Sequence, residues 1–86
     1  MSVKPPPSDS TQPGTLADAH EVVRQQQPGK DAALSVWVDF HRHSAEVYSR
    51  VSAVDTRHRY EALACAGLEI RKARDIEHRL HPEDDS

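Results

Sequence analysis

The sequence predicts an all-α protein of three helices, the last two folded into a long antiparallel hairpin. Three observations carry this reading. A capped helical segment runs through "TLADAHEVVRQQQPG". A wide apolar stripe runs through "DAALSVWVDFHRHSAEVYSRVSAV". The stripe then changes phase at "VDTRH" before a third, alanine-rich helix.

The 86 residues allow one domain at most. The leader, 1–14, holds four prolines among small polar residues and is expected to be disordered. The tail, 82–86, is acidic. The helical body is then 15–81. A body this small gains stability from self-association or a partner, so a dimeric bundle is part of the expectation.

In the first segment Thr15 is placed to cap, with Asp18 in the favourable first turn. Leu16, Ala19, His20 and Val23 share a face, and Pro28 with Gly29 ends the helix.

The second helix takes Asp31 or Ser35 as its cap. Two adjacent stripes follow at three-four spacing. One is Trp37, Phe40, Ser44, Val47, Val51 and Val54. The other is Leu34, Val38, His41, Ala45, Tyr48 and Ser52. A stripe that wide implies packing against more than one neighbour, so this is the central helix.

The stripe that reaches Val54 would meet His58 and Glu61 in a continuous rod, but apolar residues restart at Ala62 in another phase. Asp55 is therefore read as hinge and cap, its carboxylate accepting from an amide near Arg57 or His58. The third helix turns inward Ala62, Ala66, Glu69, Ile70, Ala73, Ile76 and Leu80, with Leu63 and Cys65 at the edges. Alanine favours helix and lets a neighbour come close. Gly67 costs roughly 1 kcal/mol of helix propensity and is either a point of close approach or a tolerated defect.

Two polar residues fall on apolar faces. His41 lies fourteen residues before Asp55 and Glu69 fourteen after it, so a simple hairpin sets them at equal height. A buried carboxylate needs a partner, and a His41–Glu69 hydrogen bond supplies one. The expected role is a structural polar pair that sets the register.

The formal charge of −3 gives no general support for nucleic-acid or anionic-membrane binding, although six histidines would alter the balance below about pH 6.5. One cysteine, Cys65, precludes an internal disulfide and points to a reducing, cytoplasmic setting. No apolar run approaches the roughly 20 residues of a membrane span, and the N-terminus lacks the apolar core of a signal peptide.

Metal binding finds pairs at chelating spacing, His58 with Glu61 and His78 with His81, while His41 and His43 point apart. No Cys-x-x-Cys, His-Glu-x-x-His or paired Glu-x-x-His motif is present, so no metal or other cofactor is expected. Cys65 lies among small residues without an adjacent base, and no phosphate loop or nucleophile elbow occurs. The chain is therefore read as non-enzymatic.

Two binding classes remain. A protein-interaction or regulatory role rests on the aromatics of the central helix, Trp37, Phe40 and Tyr48, which are either the core or a core extended into an interface as partner contacts, with another protein or a second copy as partner. The alternative is a nucleic-acid-associated accessory protein using Arg71, Lys72 and Arg74. From Arg57 to Arg79 six basic residues face four acidic ones, but Glu83, Asp84 and Asp85 follow.

The stretch "SVWVDFHRHSAEVYSRVSAVDTRHRYEALACAGLEIRKA" resembles a group of short uncharacterised helical proteins from high-GC actinobacteria. The resemblance covers about half the chain and implies no activity, cofactor or partner.

Overall fold

The computed structural model describes residues 14–82. The acidic tail lies outside them apart from Pro82, and the leader apart from Gly14. The fold is all-α: α1 is Leu16–Gln25, α2 is Leu34–Val54 and α3 is Arg59–Leu80, with a 3-10 turn at Thr56–His58. α2 and α3 form the hairpin, and α1 packs on the end of it nearest the turn.

α1 starts where the sequence places it. Thr15 is extended, and its Oγ1 accepts from the Asp18 amide at 3.1 Å. The helix closes at Gln26, two residues before Pro28. The start of α2 differs from expectation. Its N-cap is Ala33, and no side chain caps it. Asp31 lies too early, and Ser35 is already inside the first turn, so neither hydroxyl nor carboxylate occupies the capping position.

α2 ends at Val54, and Asp55 is the single residue between it and the 3-10 turn. The Asp55 amide donates to the Val51 carbonyl at 2.7 Å, and the His58 amide to the Asp55 carbonyl at 3.1 Å. Arg59 Nε reaches back to the Ser52 carbonyl at 3.4 Å, satisfying one of the acceptors left open at the end of α2. The hinge is therefore built from local bonds without Gly or Pro.

The hinge-proximal core gathers Ala19, Val47, Tyr48, Val51, Ala62 and Ala66, with Leu16, Val23 and Cys65 packed around it. Val51 and Ala62 are fully buried, as is Ala19. The wet side of α2 is as read, with Asp39, Arg42, His43, Glu46, Ser49 and Arg50 exposed.

The inward face of α3 is narrower than the sequence suggests. Its alanines, Ala62, Ala66 and Ala73, are buried, but Ile70 is 45% exposed and Leu80 39%. Small side chains let α3 settle on α2 along the alanine line, and this leaves the larger residues beside the seam rather than in it. Gly67 also sits outside the contact. A Cβ placed there would meet nothing within 4 Å, so α2 and α3 gain no close approach from it.

Candidate functional site

The hairpin brings His41 and Glu69 together. His41 Nδ1 lies 2.7 Å from Glu69 Oε1, and the two side chains are 11% and 12% exposed. An ionised carboxylate only accepts, so Nδ1 carries the hydrogen of this bond. The other carboxylate oxygen, Oε2, lies 3.5 Å from Lys72 Nζ, one turn further along α3. One anionic residue thus holds a partner on each oxygen, one of them across the hairpin.

Aromatic rings surround the imidazole. Trp37 and Phe40 meet edge to face with centroids 5.7 Å apart. The His41 ring lies 5.1 Å from Phe40 and 5.8 Å from Trp37. The cluster rises from the first two turns of α2, outside the core that Leu16, Ala19 and Val23 of α1 join. Trp37 and Phe40 remain half-buried there. Around Phe40, a shallow groove of about 290 Å³ is lined by Gln26, Pro28, Val36, Asp39 and His43.

Tyr48 does not belong with these two as a surface contact. It is 5% exposed, and its hydroxyl lies 2.7 Å from His20 Nδ1 of α1. The two rings meet edge-on at 5.3 Å. Burial, followed by the nearby Cys65 and Glu69 charges, pushes its phenol up to about 12. Its place on the α1 side of α2, next to Val47 and Val51, puts it in the core.

Asp55 also acts differently from the reading above. It makes no side-chain capping bond to the turn that follows it. Its Oδ2 accepts from the Leu16 amide of α1 at 2.9 Å, and lies 3.0 Å from His58 Nδ1. These partners hold its carboxyl below the usual aspartate range, the Leu16 amide contributing most. The hinge residue thus caps a different helix from the one next to it.

The basic trio Arg71, Lys72 and Arg74 is exposed on the outer side of α3. Lys72 is already engaged with Glu69. Glu77 pairs across the hairpin with Arg42, a tie that no motif in the sequence signals. Cys65 is half-buried. Burial, reinforced by Glu69 and Glu61, pushes its thiol up and keeps it in the poorly nucleophilic protonated form. Among the described residues, no three His, Cys, Asp or Glu side chains gather to hold a metal ion. No helix among them is long and apolar enough to cross a membrane.

No family model, curated protein or solved structure matches the chain.

Proposed function

We propose that this chain is a small, non-enzymatic interaction or regulatory module, with the Trp37–Phe40 end of the hairpin as its partner-binding surface. One observation carries this: the core buries alanine and valine while most of the larger apolar side chains stay outside. Leu34 and Val36 at the start of α2 are 44% and 46% exposed, and Leu80 at the end of α3 is 39% exposed. Together with half-buried Trp37 and Phe40, they leave the open end of the hairpin apolar, rimmed by Asp39 and His43. Aromatic anchors inside a polar rim are the usual build of a protein-binding surface.

The test uses Trp37, the single tryptophan. A partner captured from source lysate is expected to survive nuclease, to shift Trp37 fluorescence to the blue on binding, and to be lost with Phe40→Ser. Capture that disappears with nuclease and with Arg71→Glu/Arg74→Glu, while Phe40→Ser leaves it intact, transfers the function to the basic face of α3. That second reading has less support, because Lys72 already shares its charge with Glu69.

A further inference from the structure

α3 carries a second line of residues at three-four spacing that its own chain does not use: Tyr60, Leu63, Gly67, Ile70 and Arg74. All are exposed, Tyr60 at 84%, Leu63 at 47% and Ile70 at 45%. The buried line of Ala62, Ala66 and Ala73 lies beside it. Five positions at this spacing make a helix–helix seam two heptads long.

The seam is centred on Gly67. Tyr60 precedes it by seven residues and Arg74 follows it by seven, each about 10 Å away along the axis. Between them Leu63 precedes Gly67 by four residues and Ile70 follows it by three, so the two come within about 1.5 Å of equal height along the axis. A two-fold rotation beside Gly67 therefore brings Tyr60 of one copy level with Arg74 of the other, and Leu63 nearly level with Ile70.

We propose that a second copy of this chain packs antiparallel along this seam, with the two-fold axis passing beside Gly67. Three features choose this occupant. Antiparallel packing sets Arg74 of each copy on the Tyr60 ring of the other, a cation–π contact, whereas parallel packing sets Arg74 against its own copy. Neither Tyr60 nor Arg74 has a hydrogen-bond, ion-pair or ring partner among the described residues. Leu63 of one copy meets Ile70 of the other. Ile70 borders an apolar groove of about 400 Å³, which Ala45, Ser49 and Ala66 floor and Arg42 and Glu46 flank. A leucine side chain enters it, and the symmetry repeats the contact. Lastly, Gly67 has open space where a Cβ would stand, and nothing within the chain uses that space. A partner helix crossing on the axis does, because a residue without a side chain lets two backbones approach.

This surface is separate from the Trp37 end, and the pairing stands whether or not that end binds another protein. Sedimentation equilibrium of the full chain is expected to show a monomer–dimer equilibrium. Ile70→Glu should weaken it by about tenfold or more with helix content retained, since Ile70 is outside the single-chain core. In a Cys65→Ser background, Gly67→Cys should oxidise to a disulfide-linked dimer, because a residue on the axis faces its own copy within disulfide reach. Leu68→Cys, one position away on the outer side of α3, should not. A chain that stays monomeric at all concentrations overturns the proposal. So does a dimer indifferent to Ile70→Glu, or one that cross-links through Leu68→Cys as well as through Gly67→Cys.

Discussion

His41 and Glu69, 28 residues apart in the chain, are joined across the hairpin by a 2.7 Å hydrogen bond at equal distances from Asp55. Sliding α3 by one residue breaks this bond, so the pair reports the register of the whole hairpin. Removing Glu69 leaves the mostly buried His41 ring without this bond, and removing His41 leaves Glu69 with only the longer Lys72 contact. His41→Leu or Glu69→Leu should each cost about 2–3 kcal/mol in denaturant unfolding. The double substitution should cost less than the two singles combined, because no unpaired group remains. Additive losses would show that the two side chains act separately.

Ser44 is fully buried, and its hydroxyl has no hydrogen-bond partner. An unpaired buried hydroxyl is a net loss to the fold. Ser44→Ala is therefore expected to raise stability by about 1 kcal/mol. A loss of that size instead would reveal a bond made by this hydroxyl.

At Gly67 two effects oppose each other. Gly67→Ala should stabilise the chain by about 1 kcal/mol when measured dilute, since the helix gains propensity and the added methyl meets nothing. The same methyl stands on the proposed two-fold axis, so self-association should weaken. Thermal unfolding of dilute protein and sedimentation of concentrated protein separate the two.

Asp55 ties α1 to the hairpin through the Leu16 amide, and its carboxyl is held below the ordinary value. A carboxylate favoured in the folded state contributes above its unfolded pKa of about 3.9, and that contribution is lost as pH falls through the lower folded value. In acid, the amides of α1 should therefore lose hydrogen-exchange protection before those of α2 and α3. Asp55→Ala should loosen α1 at neutral pH as well. Asp55→Asn keeps an acceptor oxygen and should remove the pH dependence more than the contact.

The alkaline limit belongs to Tyr48. Its phenol is pushed up to about 12 by burial. The neutral form is favoured in the fold, so the contribution is complete below the unfolded pKa of about 10 and fades between about 10 and 12. Unfolding midpoints should fall across that window. In Tyr48→Phe the fall should flatten, at a cost of about 1 kcal/mol at neutral pH for the lost His20 bond.

Much of this architecture is local and was legible in the sequence. The Thr15 cap, the end of α1 at Pro28, the two stripes of α2 and the break at Asp55 all depend on neighbours within a turn or two. Helical periodicity and capping chemistry act at that range. The height of His41 against Glu69 needed only the hinge and a constant rise per residue.

The tertiary structure decided everything that depends on how helices rotate about their own axes and where α1 lies. A wheel shows which residues share a face, not which part of a wide face a neighbour covers. Packing along the alanines turned Ile70, Leu63 and Leu80 outward, and placing α1 over Val47 and Val51 took Tyr48 into the core. Asp55 found the Leu16 amide 39 residues away instead of one in its own turn, because the returning helix end offered an unsatisfied donor at that spot. Such choices depend on contacts between segments distant in the chain, and no local pattern encodes them.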